Sequence, residues 1–279
     1  MAAPQHRMAV LCQHMRPLVR LAPAGATADA ADEAAAAAAV DPMTDYERFM
    51  LDLKGWVLIP DVLTPAQVSD IRAHVDRYHA DPDSLPPHQR APMAGAAELL
   101  IDHPRVLGVL TAILDPDPSH LRLESVVTSR RSATDGLHGD RSPLEANPNQ
   151  WRPHGGGPNL QPSFSYRVQN NRIYAGMTRV VFELNDVPKG QGGTCFVSGS
   201  HKAALELPSR DQWPKGWPAK ADDPDSGCWE TYGCSAGSMV VFSEGTRHTG
   251  SEWTHREHPR KAILMAYNLQ TVRYHEPKP

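Results

Sequence analysis

Apolar positions along the chain change their period at Leu121. Before it they recur three and four residues apart; after it they come in short runs broken by Gly, Pro and Asn. Thr44-Asp45-Tyr46-Glu47 has the form of a capping box, and Phe49, Met50 and Leu53 follow as the apolar face of a helix that Gly55 stops. Trp56-Val57-Leu58-Ile59-Pro60 predicts a short strand. Thr64-Pro65-Ala66-Gln67 opens a second helix, with Thr64 as cap, Pro65 in its first turn, and Val68, Ile71, Val75 and Tyr78 along the core. Residues 81–95 read as a loop, and a helical pair follows at 96–102 and 104–114, split by Pro104.

From Leu121 onward β-runs are predicted at 121–129, 163–174, 177–187, 194–198, 238–243 and 262–270. Helices first and many short strands after imply a mainly β fold with flanking α-helices, an antiparallel barrel or jelly roll. A long insert occupies about 141–175, and its proline- and glycine-rich part, 141–162, has the length of a functional or mobile loop. Residues 1–42 differ from the rest: up to Ala28 they hold three arginines and no acid, and an alanine run covers 34–39. Such a stretch buries little and is expected to be a disordered N-terminal extension to a single domain over 43–279. Its acid-poor start has a faint transit-peptide character, and an extension upstream of a start near Met43 explains it equally well.

Charge adds an exclusion. With 28 basic against 32 acidic residues among 279, no electrostatic surface for nucleic acid is expected. No apolar run approaches the roughly 18 residues of a membrane span. Cys12, Cys195, Cys228 and Cys234 are few and follow no secretory segment, so a reduced, cytoplasmic setting is expected. The five residues between Cys228 and Cys234 are not a usual zinc spacing.

Leu137-His138-Gly139-Asp140 carries the candidate chemistry. On or just after a strand, residues two apart share a side, so His138 and Asp140 can meet one metal ion. His248, after the apolar run Ser238-Met239-Val240-Val241-Phe242, is the candidate third ligand. Two histidines and a carboxylate form the facial triad of non-haem Fe(II) oxygenases, which leaves positions open for a cosubstrate and O2. A chain with 14 histidines yields His-x-Asp pairs by chance, so the features after His248 decide the matter. Twelve residues on, Arg260 heads the apolar strand Arg260-Lys261-Ala262-Ile263, expected to run antiparallel to the strand before His248. A guanidinium there suits a dicarboxylate such as 2-oxoglutarate, or else it is a surface arginine at a strand start.

At these residues the sequence resembles the phytanoyl-CoA dioxygenase family of Fe(II)- and 2-oxoglutarate-dependent oxygenases. The likeness is carried by Lys54-Gly55-Trp56-Val57-Leu58-Ile59-Pro60, by the His138-x-Asp140 pair, by Gly192-Gly193-Thr194-Cys195-Phe196-Val197-Ser198-Gly199-Ser200-His201-Lys202 and by Gly237 to Phe242 with His248 and Arg260. In the third of these, Ser198 replaces the family's proline. The resemblance implies a double-stranded β-helix, a jelly-roll or cupin-like barrel, with His138, Asp140 and His248 as ligands of Fe(2+). It places Arg260 on the cosubstrate carboxylate, Ser251 or Thr249 as a hydroxyl beside it, and Phe182 as a nearby aromatic. His201 then belongs to a structural turn. The 141–175 insert exceeds that of better-known members, so their substrate contacts do not transfer.

The resemblance implies hydroxylation of a C–H bond in a small-molecule metabolite, with 2-oxoglutarate and O2 consumed and succinate and CO2 released. Desaturation or cyclisation on the same centre stays open, as does a jelly-roll binding module without catalysis. Halogenation needs a small residue in place of Asp140 and is set aside. Strand alternation groups Tyr166, Arg172 and Tyr174 on one polar face, either lining a substrate pocket or facing solvent. Arg130 and Arg131, just upstream of the His138-x-Asp140 pair, carry the same two readings.

Overall fold

A computed structural model of the chain describes residues 40–133, 165–203 and 229–272. Helix α1 (Asp45–Lys54) begins with the expected capping box, Thr44 and Glu47 each accepting the other's backbone N–H, and ends at Gly55 in the left-handed region with φ 83°. Helix α2 (Pro65–Ala80) repeats the device with Thr64 and Gln67. Helix α3 (Pro104–Ile113) shares one apolar core with both, and 3-10 turns, including Gly95–Leu100, stand where a loop and a further helix were expected. Arg105 ties Pro42 to α3 by donating to its carbonyl at 2.6 Å, and pairs with Glu47.

The strands form two main antiparallel sheets. The larger has the order β1 (Trp56–Ile59), β8 (Met239–Ser243), β5 (Thr178–Glu183), β10 (Arg260–Leu269) and β2 (Leu121–Arg131). The smaller has the order β7 (Trp229–Glu230), β6 (Gly193–Val197) and β9 (His248–Ser251). Among the described residues the two sheets do not close into a barrel by strand pairing. The architecture is mainly β with flanking helices, as expected.

Alternation explains why the central strands read as continuous apolar runs. Val180, Phe182, Met239, Val241, Ile263 and Met265 point into a core shared with Ile71, Val75, Val109 and Leu110 of the helices. Their neighbours Val181, Val240, Phe242 and Ala262 join Phe196 of the smaller sheet in a second core. A sheet buried on both faces needs apolar residues at every position. Polar residues on the inter-sheet face therefore stand out, and they mark the site.

Three expectations change. Residues 163–174 are not one strand: Asn170 and Asn171 take φ 52° and 58° and form a two-residue turn joining β3 (Tyr166–Gln169) to β4 (Arg172–Ala175). Paired left-handed residues are the requirement of a type I′ hairpin, which Asn meets at low strain. Strand β10 is not the antiparallel partner of β8; β5 lies between and pairs with each, so β8 and β10 run parallel. On α1 it is Leu51 that is buried, while Phe49 and Leu53 are 61% and 55% exposed.

Candidate active site

His248 opens β9, with Phe196 as its register partner on β6. Its ring lies 4.5 Å from that of Phe242 and 6.5 Å from that of Phe196, centroid to centroid. Nδ1 stands 2.7 Å from the carbonyl oxygen of Thr246. A carbonyl only accepts, so Nδ1 carries the proton and Nε2 is the basic nitrogen. Thr246 is itself fixed, donating through Oγ1 to the Gly55 carbonyl at 2.8 Å. The helix cap, the strand turn and the imidazole are thus one connected unit. Glu244 Oε1 lies 4.0 Å from His248 Nε2, and its other oxygen accepts from Arg179 Nε at 2.6 Å.

Beside this histidine is a cavity of about 580 Å3 whose wall includes Arg130, Arg131, Arg179, Thr249 and Arg260. Arg260 is buried at 2% exposure and held by Glu183, with Nε at 3.1 and 3.2 Å from the two carboxylate oxygens and Nη2 at 2.5 Å from one of them. Tyr232 donates its hydroxyl to the same carboxylate at 2.6 Å. Burial alone would disfavour the Arg260 charge, but Glu183 and Tyr232 outweigh it and hold the guanidinium firmly protonated. Arg131, directly opposite Arg260 in the β2–β10 register, donates to the Ser251 carbonyl at 3.0 Å. Burial, then repulsion from Arg260, pushes Arg131 down to about 10.

The expected site residues divide. His138 and Asp140 lie outside the described residues, among which no three His, Cys, Asp or Glu side chains gather as a metal-binding set. His248, Arg260, Thr249 and Arg130 share the cavity. Ser251 donates its hydroxyl to the Gly193 carbonyl, whereas the Thr249 hydroxyl is buried with no hydrogen-bond partner among the described residues. Phe182 is a correction: it sits on the opposite face of β5 from Val181 and Glu183, fully buried in the helix-side core with His103 at 6.3 Å. The polar hairpin is another. Tyr166 donates to Asp52 and packs edge-on to His201, and Arg172 stacks over Tyr174; none of the three lines the cavity. His201 is a turn residue, its Nε2 bonded to the Asp52 carbonyl.

Glu183, Tyr232, Glu244 and Arg179 are the members of this neighbourhood that motif reading passed over, while Arg131 lines the cavity beside Arg130, the first of its two readings. The signal for two of them was present: strand alternation through Val181 puts Arg179 and Glu183 on the inter-sheet face, where charge needs a partner.

The fold has known counterparts. HygX from Streptomyces hygroscopicus, solved with nickel and 2-oxoglutarate bound, aligns with TM-score 0.65 and 20% identity, covering 84% of this chain and 90% of that one. The epimerase SnoN, in complex with Fe3+, alpha ketoglutarate and nogalamycin RO, gives 0.52 and 19%, with 83% and 86% covered. The carbocyclase SnoK from nogalamycin biosynthesis gives 0.50 and 17%, with 81% and 84% covered. At these identities the likeness is one of fold. No curated protein matches the chain in sequence. The sequence pattern of the phytanoyl-CoA dioxygenase (PhyH) family matches residues 51–262, and the chain belongs to that family.

Proposed function

We propose that this protein is an Fe(II)- and 2-oxoglutarate-dependent dioxygenase that hydroxylates a C–H bond of a small-molecule metabolite. Family membership supports the oxygenase class, and relatives in fold have been solved with iron or with nickel and 2-oxoglutarate. The observation that carries the reading is His248: a buried imidazole with its proton fixed on Nδ1, on the wall of a cavity that also holds a buried arginine. A neutral histidine held by a backbone carbonyl on its far nitrogen is the form that ligates iron. His138 and Asp140 are proposed as the companion ligands.

Bound iron and cosubstrate supply the oxidation chemistry, in which 2-oxoglutarate and O2 give succinate and CO2 and the substrate C–H is oxidised. The chain's own residues position and exclude. The Thr246 carbonyl fixes the imidazole plane, and Phe196 and Phe242 keep water from its flanks. Arg260, aligned by Glu183, orients the cosubstrate's far carboxylate, and the unsatisfied Thr249 hydroxyl is better placed than that of Ser251 to add a hydrogen bond. Arg130, exposed on the cavity rim, is left for substrate.

Alanine at His138, Asp140 or His248 is expected to abolish substrate-dependent succinate release; full turnover in any of these variants would refute the ligand assignment. Product mass then separates the outcomes: one oxygen gained for hydroxylation, two hydrogens lost for desaturation or cyclisation. The second class stays in view because SnoK is described as a carbocyclase. A binding module without catalysis would show no 2-oxoglutarate affinity with or without Fe(II).

A further inference from the structure

Among the described residues the charges around the cavity do not balance. Arg131 and Arg260 face each other across the β2–β10 pair, at 5% and 2% exposure, where like charges directly opposite repel. One buried carboxylate, Glu183, serves both, and its oxygens are taken up by Arg260 Nε and Nη2 and by the Tyr232 hydroxyl. Arg131 has the Ser251 carbonyl on Nη1, while its Nε is buried with no hydrogen-bond partner among the described residues. Among the described residues no acid forms an ion pair with it. Of the other two arginines in the wall, Arg179 has Glu244 and Arg130 is exposed. Two buried cations and one anion among the described residues leave one positive charge out of water, an arrangement that is costly until an anion arrives.

We propose that Arg131 is the principal cation for the distal carboxylate of 2-oxoglutarate, gripping it together with Arg260, while Glu183 acts as the positioning residue that aligns Arg260 and takes up its charge. The inference rests on the cosubstrate reading above and goes beyond it. Arg260 by itself is already compensated and offers an incoming anion hydrogen bonds but little net charge. Arg131 supplies the charge, and the arriving carboxylate makes two cations and two anions. The same balance implies that the pocket is strained when empty, so cosubstrate binding and stability trade against each other at this one side chain.

The test compares 2-oxoglutarate with 2-oxobutyrate, which chelates a metal through the same 2-oxo acid group but has no distal carboxylate. Affinities are measured anaerobically by calorimetry on the Fe(II)-loaded full chain. Arg131→Gln should weaken 2-oxoglutarate binding about tenfold or more and leave 2-oxobutyrate unchanged, with Arg131→Lys in between. Equal weakening of both ligands, or of neither, overturns the proposal. Should the glutamine variant not fold, Arg131→Met gives a second measurement: its melting temperature without cosubstrate should equal or exceed the parent's, and the rise on adding 2-oxoglutarate should vanish. A less stable methionine variant that keeps the full rise overturns the proposal as well. If the parent protein itself binds no 2-oxoglutarate with Fe(II), the proposed function has failed rather than the role of Arg131.

Discussion

Glu183 and Phe182 are adjacent, yet they belong to different worlds of the molecule. Glu183 enters the inter-sheet space and meets Arg260; Phe182 enters the helix-side core. Phe182→Ala should therefore act on stability alone. Emptying a fully buried aromatic position costs about 3–5 kcal/mol, read as a lower urea midpoint, while the affinity of the folded protein for 2-oxoglutarate stays unchanged. A variant of normal stability with weakened cosubstrate binding would return Phe182 to the pocket. At this scale the sequence reveals chemistry that is local. A capping box such as Thr44 with Glu47 is visible because its spacing alone predicts it, whereas the His138-x-Asp140 pair lies outside the described residues and stands as a proposal. The Glu183–Arg260 pair joins neighbouring strands whose residues lie 77 positions apart in sequence, and it is not visible until β5 and β10 are aligned with Ala262 opposite Glu183.

Between elements, the junction of α1 and β1 shows how backbone and site are tied together. Gly55 caps α1 at φ 83°, accepts from Thr246 and lies against His201. A Cβ there would stand 2.3 Å from Thr246 Oγ1 and 2.5 Å from His201 Nδ1. Gly55→Ala combines a left-handed strain of about 1–2 kcal/mol with displacement of the threonine whose carbonyl holds His248. Both the urea midpoint and the iron affinity should fall; loss of stability with unchanged iron affinity would show that the cap and the imidazole are not coupled. The glycine stop was legible from the sequence, since an apolar helical face ended there. Its second function was not, because Thr246 and His201 come from distant parts of the chain. The Asn170-Asn171 turn was missed for a different reason: without a glycine, two asparagines amid β-formers do not break the apolar rhythm strongly enough to split a strand.

Across the whole molecule, burial of histidine sets a pH limit on the fold. His79, His103 and His201 are all held below their ordinary value, in each case chiefly by burial. His201 is the clearest, pushed down from 6.5 to about 4: its Nε2 donates to the Asp52 carbonyl, and its Nδ1 is buried against Gly55 with no hydrogen-bond partner. A proton added at Nδ1 would place a charged N–H in a closed space, with the Lys202 charge nearby adding to the penalty and Asp52 offsetting part of it. The unfolded chain takes up that proton near 6.5, so below this pH the unfolded state binds more protons and stability falls with pH until about 4. At pH 5 this one group removes about 2 kcal/mol. The metal-free protein should show a lower urea midpoint at pH 5 than at pH 7.5. His201→Gln, which keeps a donor for Asp52 without the titrating nitrogen, should recover most of that difference. Identical pH slopes for the variant and the parent would mean that His201 is already charged in the folded state, and that the packing of the turn around Gly55 is looser than the distances here imply.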